Sequence, residues 1–263
     1  MVKTTCPSCG YNRTWKLRRE KQKCKRCKKE FSRNIYPVHG FRVTEQDWKK
    51  VITVFLRERS AQRIMEEVDL SQKTAQRMTH YLRECMSKDL PRKFNGPIEM
   101  DETCIGGQRK NKTLHIRRIK TKKGHGTDKL PIVGIFCRDS GQVIVKVEPK
   151  KLDIRFIFKL VEQQVVPQAE IYTDGFKMYR GLMKHGFRHE YVDHADGEYV
   201  RGNIHTNNIE GFWGILKRKL GCIGGMRRDR LHFFVSEIVW KYNRRLLSQR
   251  EKEQALFELV LRQ

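Results

Sequence analysis

Residues 97–107 read Pro-Ile-Glu-Met-Asp-Glu-Thr-Cys-Ile-Gly-Gly. Ile98 to Cys104 has the length and apolar content of a β-strand, and Asp101 follows the apolar run at a strand end. Side chains alternate across a strand, so Glu102 points to the face opposite Asp101 and is the weaker candidate for chemistry there. Gly106 and Gly107 would let the chain turn sharply beside the site. A second run, Ala169-Glu-Ile-Tyr-Thr-Asp174, ends in the same way. A third carboxylate, Glu210, opens an amphipathic helix after 35 intervening residues.

Outward from these points, Ile132 to Cys137 and Val143 to Val147 flank the turn signal Asp139-Ser-Gly141 and read as a hairpin. Ile154 to Val165 fits a crossover helix before the strand Glu170 to Thr173. A further helix, a strand near Glu190 to Val192, and long helices from Asn207 and Leu231 complete the order. The expected class is α/β, a central mixed sheet flanked by helices. Boundaries are expected at 1–38 for a cysteine-rich module, 41–90 for a helical module, 96–250 for the sheet domain and 251–263 for a last helix. Pro91 to Pro97 reads as the linker.

Hard, anionic oxygens converging on two Mg2+ (or Mn2+) ions roughly 3.5–4 Å apart are what phosphodiester chemistry requires. Asp101, Asp174 and Glu210 are the expected ligands. Asn207-x-x-Glu210 also fits a capping box, in which Glu210 merely reaches back to the helix start. Against that, Glu210, Gly214 and Lys217 share one helix face, opposite an apolar stripe of Ile209, Phe212, Trp213, Leu216 and Leu220. Lys217 is placed to hold a phosphate oxygen, with Arg218 beside it. His205 and Asn207 are accessory candidates. Asp193, His194 and Asp196 crowd a polar loop whose role stays open.

The chain of 263 residues carries a net charge of +26. Residues 1–33 hold twelve Lys/Arg against Glu20 and Glu30, and 109–129 hold nine against Asp128. A polyanionic partner explains such an excess. Arg109, Lys110, Lys112, Arg117 and Arg118 are therefore candidate DNA contacts. No apolar stretch of about 18 residues occurs, which excludes a membrane span, and the start lacks the apolar region of a secretory signal. Cys6-x2-Cys9 and Cys24-x2-Cys27 are separated by fourteen residues, a tetrahedral spacing for one structural Zn2+, with Trp15 and Phe31 as candidate packing residues over the metal. A disulfide pair is the alternative. From Thr44, three short helices read as a helix-turn-helix whose last member, with buried Ala75, Met78, Leu82 and Cys85, offers Lys73, Gln76 and Arg77 to a groove. A helical linker with a solvated basic face is the plainer reading.

Taken together, Asp101-Glu-Thr-Cys-Ile-Gly-Gly, Tyr172-Thr-Asp-Gly-Phe-Lys-Met-Tyr and His205-Thr-Asn-Asn-Ile-Glu-Gly-Phe-Trp-Gly-Ile-Leu-Lys-Arg resemble the DDE transposases of bacterial insertion sequences, in the ISXO-type branch related to Merlin transposases. Val239-Trp-Lys-Tyr-Asn-Arg-Arg is similar to that group's closing helix. The resemblance implies an RNase H-like core preceded by a zinc ribbon and a helix-turn-helix. It also implies divalent-metal dependence and transposon-end DNA (terminal inverted repeats) joined to target DNA. A homodimer or larger assembly at the nucleoid of the bacterial cytoplasm follows from the same likeness. Some relatives carry Asn as third ligand, which keeps Asn207 and Asn208 in view. Rival readings are a DNA-binding regulator with an inert core, and an RNase H-like nuclease without strand transfer.

Overall fold

The computed structural model describes residues 5–262 apart from 7, 19–20, 33–37, 39, 42, 92, 107–113, 119–128, 149–151, 177, 194–196, 199 and 224–226. Residues 1–85 together with 248–263 form one unit, and residues 86–247 form another.

In the first unit, β1 (Thr14–Lys16), β2 (Lys21–Cys24) and β3 (Glu30–Ser32) make an antiparallel sheet in that order. Thr14 Oγ1 donates to Oε1 of the buried Gln22 at 2.7 Å. Trp15, next to Thr14 in an alternating strand, takes the other face. It is 43% exposed, with the Lys25 and Lys28 ammonium groups 5.7 and 4.5 Å from its ring centroid. An expectation that Trp15 packs over a metal is therefore corrected.

A capping box between Thr44 and Asp47 starts α1 (Glu45–Leu56), which buries Trp48, Val51, Ile52, Phe55 and Leu56. Ser60 caps α2 (Ala61–Val68), which buries Ile64 and Val68. Asp69 then turns the chain at φ 55°. Ser71 Oγ accepts from Thr74 N as α3 (Gln72–Lys88) begins. Ala75, Met78, Leu82 and Cys85 of α3 are buried.

In the second unit the chain runs through β4 (Ile98–Ile105), α4 (Leu114–Arg118), β5 (Leu130–Cys137), β6 (Gln142–Val147), α5 (Ile154–Gln164), β7 (Glu170–Asp174), β8 (Arg188–Val192), α6 (Asn207–Gly221) and α7 (Leu231–Asn243). The sheet order is β6-β5-β4-β7-β8. The first three strands are antiparallel, while β4, β7 and β8 are parallel. This is an RNase H-like mixed sheet. One face packs Met100, Val133, Ile135 and Ile171 against Ile157, Leu160 and Val161 of α5. The other packs Ile132, Phe136, Val143 and Val145 against Phe212, Trp213, Val235 and Val239 of α6 and α7. The core thus has three layers.

Three details depart from or sharpen the sequence reading. Among the described residues between β7 and β8 there is no α-helix but two 3-10 turns, Tyr179–Gly181 and Met183–His185, stopped by Gly186 at φ 82°. Pro91 to Pro97 is not a free tether, because buried Phe94 exchanges backbone hydrogen bonds with Gln164 and Val166 at the end of α5. The closing motif also has a physical role. Asn243 pairs its side-chain amide with Val143 N and O, both at 2.8 Å, covering the open edge of β6. Arg244 and Trp240 both bond Asp89, and Arg245 bonds Gly141 O. The last helix, α8 (Gln249–Leu261), starts with a capping box from Ser248 and packs on α1 in the first unit.

Candidate active site

The parallel ladder between β4 and β7 pairs Ile98 with Ile171 and Glu99 with Tyr172, and the same offset carries Asp101 to Asp174. Asp174 is the last residue of β7, whereas Asp101 lies inside β4, which runs on to Ile105 paired with β5. Asp101 is therefore not at a strand end, as the apolar run suggested. It stands where the parallel pairing stops, at the carboxyl edge where open α/β sheets place their chemistry. Past Asp174 the chain turns, with Phe176 N donating to Asp174 Oδ1 at 3.1 Å. A Cβ at Gly175 would meet Asp193 Cγ at 2.9 Å, so a side chain there would displace that carboxylate.

Asp101 and Glu102 do face opposite ways. Trp213 Nε1 donates to Asp101 Oδ2 at 2.8 Å from α6, while the buried Tyr179 hydroxyl donates to Glu102 Oε2 from the α5 side. Beyond Asp174, however, β4 runs on to Ile105 after β7 has ended. Asp101, Glu102 and Asp174 each bring an oxygen into one group whose members lie within 4.8 Å of one another. Ranking Glu102 as the weaker candidate missed this. Burial first, and then Asp174, push the Asp101 carboxyl up to about 7. Burial likewise raises Glu102 to about 8, against the lowering effect of Tyr179 and with Asp101 and Asp174 adding to it. Crowded, half-buried oxygen donors of one sign suit a hard divalent cation, which would relieve their repulsion.

Glu210 lies outside that group of three, although its charge adds to the upward push on Asp101. It is exposed on α6, and Thr206 Oγ1 donates to its Oε1 at 2.8 Å. The capping box from Asn207 does not form: Thr206 is the cap residue, and its side chain makes no cap bond to the backbone. Asn207 is exposed, and the Asn208 side chain donates to Glu99 Oε1 at 2.6 Å. His205 Nδ1 lies 3.1 Å from Arg138 Nη2 and 3.4 Å from the Asn207 amide. Both are donors, so Nδ1 acts as acceptor, and its 3.4 Å approach to Glu99 is not an ion pair. Ile209, Phe212, Trp213, Leu216 and Leu220 are buried, as the pattern required. Glu210, Gly211, Gly214, Lys217 and Arg218 are exposed, and Cβ atoms at the two glycines would meet nothing within 4 Å. Lys217 is near enough to Cys104 for its charge to offset part of the rise that burial and Glu102 impose on that thiol.

In the first unit, Cys6, Cys9, Cys24 and Cys27 converge, with Cys6–Cys27 and Cys9–Cys24 Sγ separations of 3.6 Å. A tetrahedron of Zn–S bonds would space sulfurs at about 3.8 Å. A disulfide needs about 2.05 Å, and all four cysteines are free. Burial raises the Cys24 thiol, but the Cys27 and Arg26 amides donating to Sγ, helped by neighbouring thiols, bring it down to about 6. Lys73, Gln76 and Arg77 are exposed on α3. Arg77 is partly engaged, donating to Gly40 O at 3.1 Å and lying over the Phe41 ring. Arg118 is exposed on α4, where Arg117 is also helical. Arg109, Lys110, Lys112, His194 and Asp196 fall outside the described residues.

The sequence reading missed Tyr179 and the pair Glu99–Arg138, which meet at 2.7 Å with Glu99 fully buried. A glutamate inside an apolar strand, two residues before Asp101, was the available signal, since an unpaired charge is almost never fully buried.

Residues 93–243 match the model of the ISXO2-like transposase domain. The chain is 30% identical over 246 residues to a protein in transposable element ISH50 of Halobacterium salinarum, covering 86% of this chain and 81% of that one. It is 25% identical over 87 residues to a transposase-like protein of Haemophilus influenzae, covering 33% and 70%. A chain of the simian T-cell lymphotropic virus intasome in complex with PP2A regulatory subunit B56 gamma overlays with a TM-score of 0.36 at 15% identity, covering 73% of this chain and 67% of that one.

Proposed function

This chain belongs to the ISXO2-like transposase family, and from that membership we propose that it moves an insertion sequence: it binds the terminal inverted repeats, cleaves DNA at the element's ends and joins those ends to target DNA. The observation that carries the reading is the meeting of Asp101, Glu102 and Asp174 within 4.8 Å at the edge of the parallel strands.

Asp101, Asp174 and Glu210 are the proposed ligands of the reaction centre, with Glu102 a further donor drawn in by its position. Two Mg2+ or Mn2+ ions bound there would activate the attacking oxygen and stabilise the leaving one. Trp213 and Tyr179 each occupy one carboxylate oxygen with a donated proton and so limit which oxygens remain to face the cations. Gly211 and Gly214 leave the α6 face open for a phosphate backbone, and Lys217 on that face would neutralise a non-bridging oxygen. Cys6, Cys9, Cys24 and Cys27 would hold one structural Zn2+, since a module with so little core needs a staple.

The first unit would read DNA, through the zinc ribbon and a helix-turn-helix made by α1, α2 and α3. Lys73 and Gln76 are the freest groups for a groove. Joining two ends calls for at least two protomers. No helix among the described residues is long and apolar enough to cross a membrane.

The test is a cleavage assay with the zinc-loaded chain, labelled end fragments and Mg2+ or Mn2+. Nicked ends followed by strands joined to target DNA support the reading, and Asp101→Asn should abolish both while leaving end binding intact. Binding without cutting would point to a regulator, and cutting without joining to a nuclease.

A further inference from the structure

Glu99 is fully buried, yet it is neither beside solvent nor a member of the carboxylate group. Its Oε2 accepts the backbone amides of Asn208 at 2.8 Å and Ile209 at 3.0 Å. Its Oε1 accepts from Asn208 Nδ2 at 2.6 Å and from Arg138 Nε at 2.7 Å. Arg138 also donates to Asn203 O at 2.7 Å and to His205 O at 2.9 Å, so it ties down the loop that leads into α6.

The first amides of a helix lack partners within the helix and are usually satisfied by a cap residue next to them. Here the neighbouring Thr206 makes no such bond, and its hydroxyl goes to Glu210. The cap comes instead from β4, and that changes what it does. A local Ser or Asp cap travels with its helix, whereas Glu99 fixes the helix to the strand that carries Asp101.

A second tie lies further along the same strand face, where Asp101 accepts from Trp213. Two residues along a strand advance about 6.7 Å. Four along a helix, from Ile209 to Trp213, advance about 6 Å. The two spacings match, so α6 runs beside β4 in the same direction without slipping, and Glu210 lies on the turn between the ties.

We propose that Glu99, held by Arg138, is a positioning residue that sets the height and rotation of α6 and so brings Glu210 to the Asp101–Asp174 carboxylates. This rests on the proposed reading of those carboxylates as a divalent-metal centre.

The experiment is an Mn2+ titration by calorimetry on the full zinc-loaded chain without DNA, alongside thermal melts. Wild type and Asp101→Asn come first, because loss of binding in Asp101→Asn ties the isotherm to this site. Glu99→Gln should then lower Mn2+ affinity by about 10- to 100-fold in protein that is still folded. It should also lower Tm, since Arg138 loses its counter-charge. The double variant Glu99→Gln/Arg138→Met removes the stranded guanidinium, so it should recover Tm but not Mn2+ affinity.

Wild-type affinity in either variant at a temperature where it is folded would make Glu99 a structural anchor and overturn the proposal, as would affinity that returns together with Tm. If Glu99→Gln does not fold, the double variant alone decides. An isotherm indifferent to Asp101→Asn is a different failure: the metal-centre reading is then wrong, and the positioning role falls with it.

Discussion

Trp213 closes on β5 where Asp101 pairs with Gly134, and the Cβ that Gly134 lacks would stand 2.6 Å from the Trp213 ring. The same indole donates to Asp101 Oδ2 at 2.8 Å. A missing methyl on one strand thus makes room for the ring that orients a carboxylate on the next. Gly134→Ala should therefore act on Asp101 through the Trp213 ring. Overpacking of this kind costs about 1–3 kcal/mol, measurable by urea unfolding. Cleavage should fall further than that loss of stability accounts for, because the indole must leave Asp101. Full cleavage in Gly134→Ala would mean that the Trp213 contact is dispensable.

Removing only the donated proton is gentler. Trp213→Phe keeps most of the buried ring and leaves Asp101 Oδ2 without its partner. The expected result is a fold that still melts cooperatively, with the Mn2+ concentration for half-maximal cleavage raised about tenfold or more. An unchanged metal requirement would assign Trp213 to packing alone.

Burial and crowding raise Asp101 to about 7 and Glu102 to about 8, while in an unfolded chain both titrate near about 4. The folded form then keeps protons that the unfolded form releases. Its stabilisation is complete below about pH 4 and is lost as pH rises through 7 and 8. Without divalent metal, Asp101→Asn and wild type should converge in Tm at about pH 4 and below. At pH 8 the variant should be the more stable of the two, and Mg2+ should raise the wild-type Tm. A variant that is less stable than wild type at pH 8 without metal would contradict the crowding.

Zinc removal should be local. A chelator should melt β1, β2 and β3 and weaken end binding, while the thermal transition of residues 86–247 persists. A ribbon whose amide protection survives chelation would show that the four cysteines need no metal.

Of the four tryptophans, Trp48, Trp213 and Trp240 are buried and Trp15 alone is exposed, beside Lys25 and Lys28. Adding end DNA should quench or shift the emission of Trp15, and added salt should reverse the change, because phosphate contacts release counterions. Emission indifferent to saturating DNA would remove the ribbon's outer face from the interface.

Much of the core was legible because its strands and helices carry unambiguous periods. The apolar runs of β5 and β6 and the stripe from Ile209 to Leu220 each admit one reading. The site was legible only in part. Alternation correctly put Asp101 and Glu102 on opposite faces, but it could not show that β7 stops at Asp174 and lets Glu102 join the group. Nor could local pattern show that Glu99 caps a helix 109 residues away, because the partner is defined by the fold and not by spacing. Trp15 was misplaced because an aromatic residue near cysteines reads as core, whereas Gln22 already fills the buried side of that small sheet.

Whether Asp101 and Asp174 share divalent cations is best seen in a crystal structure of the zinc-loaded chain soaked in Mn2+, with anomalous scattering used to locate the ions. Manganese should be bound to both Asp101 and Asp174 at about 2.1 Å, with Glu210 swung from Thr206 to complete the site. Full occupancy of Mn2+ elsewhere, with the Asp101 and Asp174 oxygens still bare, would contradict such sharing.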